Sequence, residues 1–172
     1  MCLAWRDNYL ARLYEKFQDF HSAMRFPRDS DFKRMFMDIE IYHFKHLMYV
    51  LRKLEEYGGN PVDTSKLSIE RVMPERLTPE WRDELGSSYE QTHERYLNRI
   101  GNITLTDANS ELSNRSFTEK KNMPTHGFQY SPLHLNKTLR ETDTWNLVSI
   151  QQRASELSNI AAKVWIYPYP RN

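Results

Sequence analysis

Two stretches decide the reading: Ser68-Ile69-Glu70-Arg71-Val72-Met73-Pro74-Glu75 and, after an insertion, Leu97-Asn98-Arg99-Ile100-Gly101-Asn102-Ile103-Thr104-Leu105. Leu67, Ile69, Arg71 and Met73 alternate with Ser68, Glu70 and Val72. A period of two predicts a short strand, and Pro74 stops it because it brings no N–H to a ladder. Gly101 closes a helix, and residues 102–105 predict a second short strand. Residues 106–115 are polar and read as a loop. Ser116 with Glu119 is a capping-box pair that opens a short helix reaching Asn122.

Helical signals surround this centre. Leu10, Leu13, Tyr14, Phe17 and Phe20 follow helical spacing and predict an amphipathic helix over 3–21, broken at Phe26-Pro27. Asp29 or Ser30 caps a second helix through Met37. A third is predicted from about Ile39 to Tyr57, with Ile41, Phe44, Met48, Leu51 and Leu54 on one stripe. Gly58-Gly59 ends it, and Asn60-Pro61 prevents a restart. Within the insertion, Thr78-Pro79 reads as N-cap and N1 of a helix ending at Gly86. Ser88 with Gln91 predicts a capping box for the next, which carries Tyr89, His93, Tyr96, Leu97 and Ile100 on one face. Ser131-Pro132 starts a brief helix near 135–139. Thr144 caps a long closing helix bearing Leu147, Ile150, Ala154, Leu157, Ala161 and Val164, which packs on the N-terminal helices. Met35, Met37 and Met48 read as core filling. The predicted organisation is an N-terminal helical segment (1–62), a central unit with a helical insertion (63–125) and a closing helical segment (126–172), together one compact domain.

Composition narrows the class. Lys+Arg number 24 and Asp+Glu 23 in 172 residues, a formal net charge of +1. That excludes a strongly basic nucleic-acid coat while leaving room for a local basic patch. Aromatics at 13% argue against a disordered chain. Cys2 is the single cysteine, so neither an internal disulfide nor a cysteine-rich zinc site can form. No apolar run approaches the roughly 20 residues of a spanning helix, and the N-terminus lacks a secretory h-region. The expectation is a cytoplasmic protein with no membrane association.

Strand, insertion, strand, polar loop and short helix are, in that order, the parts of a ββα-metal nuclease finger. The expected fold is therefore α+β and mostly helical, with a small HNH-like ββα finger embedded in a helical frame. Such a site holds one divalent cation through hard oxygen donors. A carboxylate and an amide carbonyl suit magnesium or manganese, and Glu70, Asn102 and Asn109 come in that order along these parts. Each residue also has a plainer reading. Glu70 can be a surface carboxylate, Asn102 a turn residue after a helix, and Asn109 the first residue of an Asx-turn. Arg71 can pair with a neighbour, and Lys120 and Lys121 can lie on a solvated helix face. His43 and His46, three apart, lack a third metal ligand nearby in sequence, and His126 and His134 flank a loop after the finger, where they are candidates for substrate contact.

The two quoted stretches resemble a known family. Residues 68–75 are similar to the Glu-His-Ile-Met-Pro-Gln segment of the C-terminal HNH-type nuclease domain of GmrSD-type, modification-dependent restriction enzymes. Residues 97–105, followed by Asn109-Ser110-Glu111-Leu112-Ser113-Asn114-Arg115-Ser116-Phe117 and Glu119-Lys120-Lys121, resemble that family's Leu-Gly-Asn-Leu-Thr-Leu, Asn, Leu-Ser-Asn, Phe and Lys pattern. Phe26-Pro27 and Phe32 look like its lead-in, and Trp145, Arg153, Ala154 and Trp165 like its closing helix, so the likeness runs from about 26 to 168. It implies metal-dependent cleavage of a DNA phosphodiester, with modified or unmodified DNA as partner, in a restriction or phage-defence system. It places Glu70 and Asn109 as metal ligands, with Asn114 as the lesser candidate for the second, and Asn102 as the middle Asn that braces the finger. Arg71, Asn114, Lys120 and Lys121 are placed near phosphates.

Two departures stand out. Arg71 occupies the general-base position, where the family has His. A guanidinium stays protonated and cannot accept a proton from water, although it can grip a phosphate in bidentate fashion. Loss of a general base costs about 10²–10⁴ in rate. The expectation is an impaired nuclease, with His93 as substitute base, or an inactive pseudonuclease that binds the DNA backbone or docks on a partner. The family also carries an N-terminal nucleotide-hydrolysing half. No Gly-Lys-Ser/Thr phosphate loop occurs in the 172 residues. The chain is accordingly read as a fragment, a split subunit or an orphan domain, with that half as a partner.

Overall fold

The computed structural model describes residues 27–59, 63 and 65–166, together with Tyr9, Arg12, Leu13, Glu15 and Lys16, which are helical. The rest of the predicted N-terminal helix, Phe26, Asn60-Pro61 and residues 167–172 lie outside the described residues. The elements run α1 (Asp29–Asp38), a 3₁₀ turn (Ile41–His43), α2 (Leu47–Tyr57), β1 (Ser68–Arg71), α3 (Pro79–Leu85) and α4 (Tyr89–Tyr96). A 3₁₀ turn (Ile100–Asn102) then leads into β2 (Ile103–Thr106), α5 (Asn109–Leu112) and α6 (Phe117–Asn122). Two 3₁₀ turns (Phe128–Tyr130 and His134–Asn136), α7 (Lys137–Glu141) and α8 (Leu147–Val164) complete it. The architecture is α+β and mostly helical, with one antiparallel pair of strands. Among the described residues no helix is long and apolar enough to cross a membrane.

Local chemistry explains most boundaries. Pro79 begins α3 behind Thr78, and Gly86 ends it at φ +75°, a conformation glycine adopts without strain. The Ser116–Glu119 capping box forms in both directions at α6. Elsewhere tertiary contacts override the local signal. The helix expected over 39–57 splits: Ile41 is buried, the Tyr42 N–H donates to the Asn98 carbonyl at 3.1 Å, and α2 starts only at Leu47. Phe44, expected on the buried stripe, is 46% exposed. Ser88 stands at the N-cap of α4 without a side-chain cap, because the Gly86–Ser88 turn runs straight into the helix. The loop expected over 106–115 contains α5, drawn in by buried Ala108 and Leu112. The cap of α8 is Asn146 rather than Thr144. The Trp145 N–H is taken by the Glu84 carboxylate at 2.6 Å, and Asn146 with Ser149 forms the capping box. Met35 is 58% exposed and so is not core filling.

Two apolar clusters hold the strand pair between them. One joins α1, α2, β2 and the second half of α8 through Phe36, Leu51, Leu54, Ile103, Leu105, Leu157 and Ala161. The other joins Val72, Met73, Trp81, Leu85, Phe117, Phe128 and Trp145. α8 serves both, giving Ile150 to the second cluster and Ala154 to the first. Gly101 permits its approach, since a Cβ there would lie 2.4 Å from the Ile150 carbonyl oxygen. Arg153 crosses the seam. It is fully buried and donates to the carbonyls of Ile100, Gly101, Ile103 and Leu135 at 2.8–3.2 Å. Burial lowers it to about 9, so it remains charged at neutral pH.

Candidate functional site

The site grows from the register of the two strands. Glu70 pairs with Thr104 and Arg71 with Ile103. Neighbours along a strand point to opposite faces, so the expected ligand and the expected base leave β1 in opposite directions. Glu70 turns inward with Thr104, whose hydroxyl bonds the side chain of Asn136. Arg71 turns toward the first cluster, beside the 3₁₀ turn that carries Tyr42.

Glu70 is 4% exposed and meets Lys120, which is 0% exposed. The Lys120 ammonium donates to Glu70 Oε1 at 2.5 Å and to the Arg71 carbonyl at 2.9 Å. Burial pushes the Glu70 carboxyl up and the Lys120 ammonium down, with their mutual attraction opposing both shifts. Lys120 therefore does not lie on a surface facing phosphates. Its helix turns it into the core beside Phe117, and its ammonium is already engaged. Lys121 is also tied down, donating to the Thr142 carbonyl at 2.7 Å and to Asp143 at 3.1 Å.

Arg71 is held from three sides. Its guanidinium lies 3.5 Å from the Tyr42 ring centroid. Nη2 donates to Asn98 Oδ1 at 3.0 Å and Nη1 to exposed Glu75 at 3.1 Å. His93 Nε2 lies 3.0 Å from the Pro74 carbonyl. A carbonyl only accepts, so that nitrogen carries the proton.

Asn102 is 0% exposed and uses its whole amide. Oδ1 accepts from the Met73 N–H at 2.7 Å and from Trp145 Nε1 at 3.2 Å. Nδ2 donates to the carbonyls of Met73 at 2.9 Å and Leu97 at 3.0 Å. With both donors and both lone pairs engaged, this side chain braces the end of β1 and has nothing left for substrate. Asn109, at the start of α5, donates to the Ile69 carbonyl at 2.6 Å, which seats its side chain against the residue before Glu70. Asn114 is exposed and lines a polar cleft of about 950 Å³ with Thr78, Ser110, Glu119 and Asn122. The structure thus pairs Glu70 with Lys120 on one face of the strand pair and turns Arg71 to the other, with Asn102 past the Arg71–Ile103 end and Asn109 held on Ile69 from the opposite end; Asn114 lines the polar cleft and Lys121 is tied to Thr142 and Asp143.

A divalent cation needs several oxygen donors with charge to spare. Here the oxygens are one carboxylate and the Arg71 carbonyl, both already engaged by the Lys120 ammonium. Among the described residues no three His, Cys, Asp or Glu side chains are grouped to hold a metal. In this arrangement the residues do not fit a divalent ion at Glu70. His43 and His46 are both exposed, and their rings pack edge-on against Tyr42 and Phe44.

Asn98, Glu75 and Trp145 enter the sequence reading only as parts of the resemblance, and Tyr42 and Glu84 not at all. Glu75 alone carries a local signal, four residues after Arg71. Tyr42 was hidden inside a helix that does not form, and Asn98 lies 27 positions from its partner.

No curated protein matches the chain significantly. A family model does, over residues 26–160, and its description is GmrSD restriction endonucleases, C-terminal domain. The matched span takes in both strands, the insertion, α5, α6 and most of α8. The chain belongs to the GmrSD restriction endonuclease C-terminal domain family, which makes it a nuclease domain of a restriction system.

Proposed function

We propose that residues 63–125 contain an HNH-type ββα finger that acts on DNA, and that its cutting is impaired because Arg71 stands where the finger's general base belongs. The observation that carries this reading is the seating of Arg71. Tyr42, Asn98 and Glu75 hold a guanidinium, on the face of β1 opposite Glu70, where a base would have to be. It can bind a phosphate oxygen but cannot deprotonate water. His93, with Nε2 3.0 Å from the carbonyl of Pro74 just past β1, is the candidate substitute base.

A second reading, a pseudonuclease that holds the backbone without cutting, is favoured by the Glu70–Lys120 pair. In it, Arg71 and exposed Asn114 contact phosphates and the domain serves a nucleotide-hydrolysing partner. Magnesium or manganese enters either reading only where Glu70 is released from Lys120.

Plasmid cleavage in manganese by the native chain, Arg71→His, and Arg71→His with Glu70→Ala separates the readings. Cutting that rises in Arg71→His and disappears in the double variant supports the impaired endonuclease. Salt-dependent binding without cutting in all three supports the pseudonuclease. Neither cutting nor binding by any of them removes DNA from the account.

A further inference from the structure

We propose that the Lys120 ammonium is the resident cation of this finger: it fills the position in which a divalent ion would meet Glu70, and its removal turns that pocket into a metal site. This rests on reading residues 63–125 as the finger. Two oxygens converge on the ammonium, the Glu70 carboxylate at 2.5 Å and the Arg71 carbonyl at 2.9 Å. A carboxylate with a backbone carbonyl is the hard donor chemistry a divalent cation uses.

The lysine is built in rather than wandering. It sits in the last turn of α6, whose start is fixed by the Ser116–Glu119 capping box. Phe117 of the same helix stacks on Trp145 with centroids 5.3 Å apart. Its side chain is 0% exposed and that of Glu70 only 6%, which leaves no room for a hydrated ion beside the ammonium. Two cations against one buried carboxylate would also leave excess positive charge in the interior, an arrangement far costlier than a matched pair. Ammonium and metal therefore exclude each other, and the native chain keeps the ammonium.

The test is manganese binding without DNA, by titration calorimetry, on the native chain, Lys120→Met, and Lys120→Met with Glu70→Gln. Lys120→Met keeps the buried stem and frees the carboxylate, and the double variant is a neutral pair of similar volume. Manganese affinity at least tenfold above native in Lys120→Met, lost again in the double variant, is the expected result. No gain in Lys120→Met, or native binding that Glu70→Gln abolishes, overturns the proposal. If Lys120→Met does not fold, manganese broadening of the Thr104 amide resonance in the native chain decides: no broadening supports the proposal, and broadening removed by Glu70→Gln overturns it. Failure here leaves the nuclease reading standing. A metal gain in Lys120→Met without DNA binding by any variant would leave this proposal and remove that reading.

Discussion

Arg71 rests on Tyr42, its guanidinium 3.5 Å from the ring centroid, and both residues are tied to Asn98. The Tyr42 N–H donates to the Asn98 carbonyl, and Arg71 donates to the Asn98 side chain. The ring does two things: it attracts the cation and it limits where the cation can swing. Tyr42→Ala is expected to cost about 1–2 kcal/mol in urea unfolding, the range of a partly desolvated cation–π contact plus lost packing. Tyr42→Phe keeps the face of the ring and should stay within a few tenths. Equal losses in the two variants would mean that the hydroxyl, and not the ring, is what matters.

Asn102→Ala removes a side chain that satisfies Met73 twice, Leu97 and Trp145. Buried donors left without acceptors cost about 1–3 kcal/mol each, so roughly 3 kcal/mol or more should disappear from the guanidinium unfolding free energy. A loss under about 1 kcal/mol would show that water or a shift of β1 can replace the amide.

Arg71→His and Lys120→Met act on different needs of the same finger. The first supplies a group able to accept a proton; the second frees Glu70. Their combination is expected to cut a plasmid in manganese at least about 10²-fold faster than the native chain, the low end of what a general base contributes. Arg71→His alone should recover less than the combination. Equal rates for the two would show that Lys120 does not obstruct the ion.

The cap of α6 sets a pH limit. The Ser116 hydroxyl and backbone N–H, at 2.8 and 2.9 Å, hold the Glu119 carboxyl below its ordinary value. A depressed folded-state pKa contributes stability that is present above the unfolded value and is lost as pH falls through the folded one. The contribution should therefore be intact at neutral pH and fade below the ordinary glutamate range near 4. Glu119→Gln should lower the melting temperature modestly at neutral pH and weaken the acid-side fall, the two proteins converging once the carboxyl is protonated. An identical acid limb in both proteins would remove Glu119 from the explanation.

Much of this was legible in the chain because it rests on local chemistry. Strand alternation before Pro74, Pro79 behind Thr78, Gly86, and Ser116 with Glu119 announce themselves within a few residues. Glu70, Asn102 and Asn109 could be singled out by order and spacing. Their partners could not. Lys120 looks like half of a solvated Lys-Lys pair until α6 is seen to face inward, and only then does the ammonium meet a carboxylate 50 positions away. Tyr42 was masked by an apolar stripe that runs unbroken through 39–57 in sequence, although its backbone is bent by a hydrogen bond to residue 98. Capping was misread at α8 for a related reason: Trp145, a residue too large to leave exposed, sets where the helix can start.

Arg153 carries a consequence for how the molecule comes apart. Its guanidinium holds three carbonyls around the start of β2 and one in the His134–Asn136 turn, all from a helix near the end of the chain. The segment 63–125 is thus not a detachable module that a later helix merely covers. Release of α8 strands those carbonyls, and release of β2 strands the guanidinium. Amides of β2 and of the middle of α8 should exchange with deuterium in one opening event, at one rate, and the strand pair should have no folded state without its closing helix.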